Sequence, residues 1–275
     1  MSRELAALSG DASSRPLSTG AQASTFAPVT WVVEMARSTR FALKVLRAAA
    51  WPRYPGQIVP YAYAIGARSV LLVSVVTAFA GAMLALQGQS SLQQLGAPEL
   101  LGMFVGLGGI REVFPVMAAG TVGARAGSAI AAELATMKTT DQIDALDVMA
   151  VDPIAYLVVP RFLAALLVTP PLMIVGTVAG LAGAYLTAVV QLGVDPGSYL
   201  ERTFTPLSPF DLVAMLIKGL VFGGVIALVT AREGLRAAGG PAGVGTAANL
   251  AVVKAMIAGS LVNLLLSQVL FGGQG

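Results

Sequence analysis

Long apolar runs separated by short polar stretches dominate the pattern along this chain. Five of the runs are each long enough to form a helix that crosses a bilayer, which takes roughly 20 apolar residues. They cover approximately residues 65–86, 100–122, 157–190, 212–229 and 250–271. A soluble domain would interleave polar residues throughout, whereas whole stretches here carry no ionisable group. The pattern predicts an all-α polytopic membrane protein with five transmembrane helices.

The main charged interruption, Glu133 to Pro153, lies between the second and third runs and is predicted to face water. Within it, Thr139 followed by Gln142 matches a capping box that would begin a short helix. Helical spacing places acidic residues on one side of this short helix and apolar residues on the opposite side. The acidic set is Asp141, Asp144 and Asp147, and the apolar set is Ile143, Leu146 and Met149. The apolar ridge fits either a groove on a partner or the protein's own body, and periodicity alone leaves both open.

A second amphipathic pattern covers Val29 to Ala50, after a Ser-rich and Ala-rich segment, residues 1–28, that is predicted to be a disordered cytoplasmic tail. Its basic side carries Arg37, Arg40, Lys44 and Arg47, and its apolar side carries Trp31, Met35, Ala42, Val45 and Leu46. Such a helix is expected to lie in the membrane surface with its basic side on anionic headgroups. The alternative is a helix packed on the protein's own cytoplasmic side. Residues 51–60, rich in Pro, are expected to form a linker.

Composition excludes several classes of function. Of the 275 residues, 56% are hydrophobic and 11% charged, against about a quarter charged in soluble proteins. The net charge is +3, but the Lys and Arg residues lie mostly in the amino-terminal segment and beside the apolar runs. This distribution argues against a nucleic-acid partner. Without Cys or His, the chain offers no thiolate or imidazole for a metal and no usual nucleophile and base pair. No Lys follows a Gly as in a phosphate-binding loop, so this chain is expected to hold no cofactor, and any ATP would bind to another chain.

Loop charge predicts the orientation, because Lys and Arg are retained on the cytoplasmic side. The amino-terminal segment, the loop after the second run and residues 232–249 carry basic residues, whereas 88–99 has none and 191–211 has only Arg202. The amino terminus is therefore expected in the cytoplasm and the carboxyl terminus outside.

Glycines recur four apart within three runs, at Gly102 and Gly106, Gly176 and Gly180, and Gly219 and Gly223. This spacing allows close contact between helices, either within one subunit or at a dimer face. The segment GGPAGVG at 239–245 has neither the spacing nor the preceding strand of a phosphate loop, so a flexible turn is expected there.

Of the charges inside the apolar runs, three lie farthest from the ends of their runs. Arg111 and Glu112 lie near the middle of the second run, and as sequence neighbours on a helix they point apart, so each needs its own partner. Pro115 leaves the carbonyl of Arg111 without its helical donor. Lys218 lies in the fourth run, and its flexible stem could bring the ammonium to Glu112. We expect Arg111, Glu112 and Lys218 to line a polar spot in an apolar cavity; the alternatives are that Lys218 extends to the outer headgroups and that Arg111 and Glu112 only hold helices together.

Several segments together resemble the MlaE/YrbE family of lipid ABC transporter permeases. They are Arg111-Glu112 with Pro115, ARAGSAIAAEL at 124–134, TTDQIDAL at 139–146, MAVDP and PRF within 149–162, and more weakly LIKGLVF at 216–222. With GGPAGVG before the last run, the YrbE subunits of actinobacterial Mce transport systems look most similar.

The resemblance implies a permease domain at 61–275 after an interfacial segment at 29–60, and a pair of permeases that enclose a lipid cavity. It also implies that Thr139 to Met149 forms a coupling helix on a cytoplasmic ABC ATPase, with MCE-domain lipid-binding proteins as further partners. The expected function is ATP-driven transport of phospholipid, fatty acid or sterol-like lipid across or out of the plasma membrane. The alternatives are a non-transporting membrane scaffold and a proton-coupled secondary transporter that uses Glu112.

Overall fold

The computed structural model describes residues 27–272, with side chains from Glu34 onward except that of Met35. Within this range the chain forms eight helices and no strand. They are α1 (Ala27–Ala49), α2 (Pro55–Gln94), α3 (Pro98–Thr139), α4 (Gln142–Val148), α5 (Ile154–Gln191), α6 (Pro196–Phe204), α7 (Pro209–Leu235) and α8 (Gly240–Phe271). The predicted tail lies outside the described residues except for Ala27 and Pro28.

Five of the described helices, α2, α3, α5, α7 and α8, are long and apolar enough to cross a membrane. The all-α polytopic prediction is therefore confirmed. Every helix extends beyond its apolar run, and α3 does so most, since it continues 17 residues past Val122 to Thr139. The prediction ended that run too early because the charges of Arg125 and Glu133 were read as a loop, although both are accommodated on the helix.

Helix α3 contains two π-helical turns, at Gly109–Val113 and Gly123–Gly127. Helix α5 begins with a third at Ile154–Val158 and ends with a fourth at Leu186–Gln191. π-Helical turns are rare and are often found at functional sites. The first holds the predicted site residues Arg111 and Glu112, and the second holds Arg125.

The glycine pairs pack helices within this chain, which confirms the first of the two interpretations. A Cβ on Gly102 or Gly106 would strike the α6 backbone at Tyr199 or Thr203, and one on Gly180 would strike the Phe114 ring. On Gly219 and Gly223, a Cβ would meet the α5 backbone at Pro170 and Ala165. These faces are covered by the chain's own helices, so the dimer-face interpretation is wrong for these glycines.

Three local predictions need correction. The linker is shorter than predicted, because helical structure starts at Pro55. The predicted turn at 239–245 is limited to Gly239 and Gly240, whose φ angles are positive, and α8 already includes the rest. Thr139 does not cap α4, because Asp141 occupies the N-cap position without a side-chain cap and the Thr139 hydroxyl donates to the carbonyl of Thr136.

The described residues divide into two units, 27–39 and 40–272. In the described part of the first unit, Arg37 lies 3.7 Å from the carboxylate of Glu34 on α1. In the second unit, Val45 of α1 is fully buried in the main apolar core, and Phe41, Ala48 and Ala49 pack against that core. The apolar side of α1 thus rests on the protein from Phe41 onward, although Leu46, predicted on the same side, is half exposed.

Candidate functional site

A cluster of six polar side chains from α3, α7 and α8 forms inside the helix bundle. We call it the central polar cluster, and it consists of Arg111, Glu112, Asp211, Lys218, Asn263 and Ser267. The first π-helical turn of α3 supplies Arg111 and Glu112. Because the cluster joins three helices of the bundle, it fixes their relative positions.

Lys218 is the most buried member of the central polar cluster, with no exposed surface. Its ammonium donates to the carbonyl of Arg111 at 2.6 Å, to Ser267 at 2.8 Å and to Glu112 at 3.1 Å. The first of these acceptors is the carbonyl to which Pro115 cannot donate. All three ammonium protons therefore have acceptors, as a buried charge requires.

Glu112 takes a second hydrogen bond, from the amide nitrogen of Asn263 at 2.8 Å. Its side chain nevertheless keeps 42% of its surface exposed, against 1% for that of Lys218. Glu112 is therefore the member of this ion pair that faces the surroundings of the bundle.

Arg111 has its own carboxylate partner. Its Nε donates to Asp211 at 2.7 Å, and its guanidinium lies 4.7 Å from the centre of the Phe271 ring. The other oxygen of Asp211 accepts the backbone N–H of Ser208 at 2.7 Å, where a capping box begins α7. Asp211 therefore links the start of α7 to the π-helical turn of α3.

The structure brings together all three charges that the sequence singled out and confirms the predicted contact of Lys218 with Glu112. The alternative, in which Lys218 extends to the headgroups, is wrong. Sequence reasoning missed Asp211, Asn263 and Ser267. Signals for them existed: Ser208 and Asp211 have capping-box spacing, and Asn263 and Ser267 are polar residues four apart in the last apolar run.

An apolar cavity of about 450 Å³ lies farther along α3, between α2, α3, α7 and α8. It starts at Val116, one turn after Glu112, and its lining does not include any of the three predicted charges. Thr121 and Ser260 are its polar lining residues, and the others are apolar or Gly. The predicted polar spot and this cavity are thus neighbours along α3 rather than one site.

The α4 helix presents a mixed acidic and apolar surface. Asp141, Asp144 and Asp147 are exposed, and Asp144 accepts a hydrogen bond from Lys138 at 2.7 Å. The predicted apolar ridge is divided: Ile143 is buried and Leu146 packs on the protein's own core. Met149 is exposed, and so is Val148, which the sequence did not single out. The exposed surface, which we call the α4 face, therefore consists of Asp141, Asp144, Asp147, Val148 and Met149.

An ion pair between a buried arginine and a half-exposed glutamate joins the two helices on either side of α4. Arg161 of α5 is 1% exposed, and its Nη2 lies 2.8 Å from Glu133 of α3 at an angle unsuited to a hydrogen bond. Its Nη1 donates to the carbonyl of Leu157 at 2.6 Å, and the Tyr61 ring of α2 lies 4.2 Å from its guanidinium. Arg161 therefore ties α2, α3 and α5 together next to α4.

The basic side chains Arg37, Arg40, Lys44 and Arg47 of α1 are all exposed. Among the described residues there is no group of three or more acidic side chains placed to hold a metal ion.

Comparison with known proteins gives a consistent family. The family model described as Permease MlaE matches residues 58–269. The chain is 38% identical over 220 residues to a probable ABC transporter permease protein of Rickettsia prowazekii, covering 80% of this chain and 85% of the relative. A probable ABC transporter permease protein of Synechocystis is 36% identical over 213 residues, 77% of this chain and 80% of the relative. The chloroplast protein TRIGALACTOSYLDIACYLGLYCEROL 1 of Arabidopsis thaliana is 32% identical over 210 residues, 76% of this chain and 60% of the relative.

The match covers all five membrane-crossing helices, the central polar cluster and α4. As an ABC transporter permease, the chain works with an ATPase. The chain belongs to the MlaE permease family and is the membrane permease subunit of an ABC lipid transporter.

Proposed function

We propose that this permease pairs with a second YrbE-like permease, that a cytoplasmic ATPase binds the ATP, and that the α4 face is the surface on which the ATPase docks. The observation that carries this is the α4 face itself. Val148 keeps 88% of its surface exposed and Met149 63%, at the tip of a short helix outside the membrane-crossing helices. Exposed apolar side chains flanked by carboxylates fit a partner groove that has an apolar floor and basic edges.

The contacts on the buried side of α4 support a role for this helix in transmitting motion to the membrane-crossing helices. Ile143 and Leu146 pack on the protein's main core, and Arg161 with Glu133 joins the neighbouring helices α5 and α3. A push on the α4 face would therefore move these two helices together. ATP turnover in the partner would cycle the permease between two conformations that differ in affinity for lipid, and this difference supplies direction.

The transported molecule is a phospholipid, fatty acid or sterol-like lipid, moved across or out of the plasma membrane. In this scheme the central polar cluster keeps α3, α7 and α8 in register, and half-exposed Glu112 is its member that meets a polar lipid headgroup. The resemblance of its sequence motifs to YrbE subunits implies MCE-domain lipid-binding proteins as envelope partners.

In the orientation that we propose, α4, α1 and the amino terminus lie in the cytoplasm. The exposed basic residues of α1 on that side are Arg37, Arg40, Lys44 and Arg47. The carboxyl terminus and α6 are then outside. Basic residues beside membrane spans remain on the cytoplasmic side, which supports this arrangement.

The docking surface is tested by reversing its charge and removing its apolar tip with Asp147→Arg and Val148→Arg together. The ATPase should no longer co-purify with the permease, and lipid-dependent ATP hydrolysis should be lost. Glu201→Arg, an exposed carboxylate on α6, is the matched control and should keep both. Full ATPase recovery with the double variant would overturn docking at α4.

A further inference from the structure

The apolar cavity between α2, α3, α7 and α8 has features of a ligand site that the central polar cluster does not explain. Its rim residues Leu72, Met117 and Met256 are about half exposed, so the cavity opens sideways to the surroundings of the helices. Those helices cross the membrane, and the surroundings at that depth are hydrocarbon. An apolar lining of this kind offers water too few partners and suits an alkyl chain.

The cavity has a cation at one end. Arg125 follows the lining residues Gly123 and Ala124 directly, and it is partly buried in the second π-helical turn of α3. Its hydrogen bond to the Ser69 hydroxyl is long, at 3.4 Å. Ser69 lies one turn before the lining residue Leu72 on α2, so both helices place Arg125 and Ser69 at the same end.

This guanidinium has no carboxylate partner among the described side chains. Elsewhere in the bundle, Arg111 and Arg161 each have one. A charge at the edge of the hydrocarbon without a protein counterion is costly, and an anion from the lipid phase would neutralise it. The planar fork of Arg matches a phosphate group well.

The depth of Arg125 fits a headgroup. It lies 13 residues beyond Glu112 on α3, about 20 Å at 1.5 Å per residue. If Glu112 lies near the bilayer midplane, Arg125 reaches the headgroup region, because the hydrocarbon core extends about 15 Å to either side. It does so at the end of α3 that leads to α4.

We propose that the cavity binds one acyl chain of an anionic phospholipid whose phosphate contacts Arg125, while the second chain remains in the bilayer. The occupant lies within a single permease chain and is separate from the central polar cluster. Only its assignment to the cytoplasmic leaflet rests on the orientation proposed above. The site would hold a lipid beside the transport path before or after the lipid meets Glu112.

Two glycines allow the cavity to be filled without displacing the backbone. Gly120 on α3 and Gly259 on α8 both line it, and a Cβ on either would meet nothing within 4 Å. Gly120→Leu and Gly259→Leu should therefore occupy the space of the chain. Gly108→Leu is the matched control, because Gly108 also has open space, lies on α3 and is not part of the lining. It shares the helix-propensity gain of the other two.

The test uses the complete permease and ATPase complex in vesicles that contain phosphatidylglycerol with a photoreactive acyl chain. Cross-links are mapped by mass spectrometry and are expected on Val116, Met117 and Met256. The yield should fall on the order of tenfold in Gly120→Leu and Gly259→Leu, because each excluded methylene weakens binding about fourfold. The Gly108→Leu yield should equal that of the unchanged protein.

The headgroup contact is tested with Arg125→Gln, which should lower the phosphatidylglycerol yield about fivefold. Arg125→Lys should retain most of it. Phosphatidylcholine also carries a phosphate, but its choline offsets that charge, so the yield of its photoreactive form should fall less than that of phosphatidylglycerol in the neutral variant. Photoreactive palmitate should label weakly. Stronger labelling by palmitate than by phosphatidylglycerol would overturn the phospholipid assignment.

If Gly120→Leu and Gly259→Leu gave the same cross-link yield as the unchanged protein, the labelled lipid would lie around the helices and not in the cavity. That result would overturn the proposal. Acyl-chain cross-links that avoid Val116, Met117 and Met256 in the unchanged protein would also overturn it. These readouts do not require transport, so loss of ATPase docking with unchanged labelling would count against the proposed function and not against the site.

Discussion

Lys218 shows how one buried charge depends on its acceptors. Lys218→Met leaves the carboxylate of Glu112 with Asn263 and Ser267 only, and it removes the donor from the carbonyl of Arg111. Glu112 keeps 42% of its side chain exposed, so the cost comes mainly from the Arg111 carbonyl, which is left without a donor inside the bundle and costs about 1–3 kcal/mol. We expect a correspondingly lower free energy of unfolding, measured by denaturant titration in detergent.

Lys138→Met is the control for that variant, because Lys138 and Asp144 form an exposed pair and such pairs contribute below about 1 kcal/mol. Adding Glu112→Gln to Lys218→Met should recover part of the loss, since no unpaired carboxylate remains. Equal losses for Lys218→Met and Lys138→Met would contradict a stabilising role of the buried ammonium.

The pair Arg161 and Glu133 should respond asymmetrically to mutation. Glu133→Gln leaves a fully buried guanidinium without its carboxylate and should cost about 3 kcal/mol. Arg161→Met leaves Glu133 half exposed to its surroundings and should cost only about 1 kcal/mol, largely the lost contact with the Tyr61 ring. Thermal unfolding of both variants and of the double variant measures this order; the reverse order would refute it.

These residues also mark the limit of sequence reasoning at this scale. The contact between Lys218 and Glu112 was predictable, because both charges were conspicuous inside apolar runs and one had a long flexible stem. Asp211 lies at the start of its run and looked like an ordinary rim charge. The pairing of Glu133 with Arg161 joins residues on two helices, and a single sequence contains no register between helices.

At the scale of elements, α4 ends in an unusual way. The N–H of Val151 donates to the carbonyl of Leu146 and that of Ala150 to Asp147, which together form a Schellman motif. Its left-handed position is Ala150, with φ of 57°, where Gly is the usual residue. An L-residue other than Gly pays roughly 1 kcal/mol in this conformation.

Ala150→Gly should therefore stabilise the end of α4, by up to about 0.5 kcal/mol after the greater flexibility of Gly in the unfolded chain is subtracted. Hydrogen exchange of the Val151 amide should slow accordingly. Ala145→Gly, inside α4, is the comparison and should speed exchange instead. Faster exchange in Ala150→Gly would contradict the strained cap.

Element boundaries were the less predictable part of the fold. The five apolar runs identified the membrane-crossing helices, but α3 continues through Arg125 and Glu133 because Ser69 and Arg161 receive these charges. The α6 helix, begun by Asp195 with a hydrogen bond to the amide of Ser198, occupies a stretch that looked like a loop. Its apolar contact with α3 is tertiary and has no periodic signature in nine residues.

The whole molecule offers a direct test of its orientation, because it contains no Cys. Single cysteines at Asp147→Cys on α4 and Glu201→Cys on α6 report opposite ends of the bundle, and both positions are exposed. A membrane-impermeant maleimide applied to intact cells should label only the α6 cysteine, and permeabilised cells should show both. Labelling of the α4 cysteine from outside would reverse the topology.

The two π-helical turns of α3 have a geometric consequence for everything that follows them. Each holds one residue more than an α-helical arrangement of the same stretch, which turns the remainder of the helix by about 100°. Deleting Gly109, the first residue of the turn Gly109–Val113, would change composition and mean hydropathy very little. It would also rotate Val116, Gly120 and Arg125 about the helix axis, away from the apolar cavity. The hydropathy profiles of the intact and shortened chains would then be nearly the same, although the shortened chain had lost this side of the cavity.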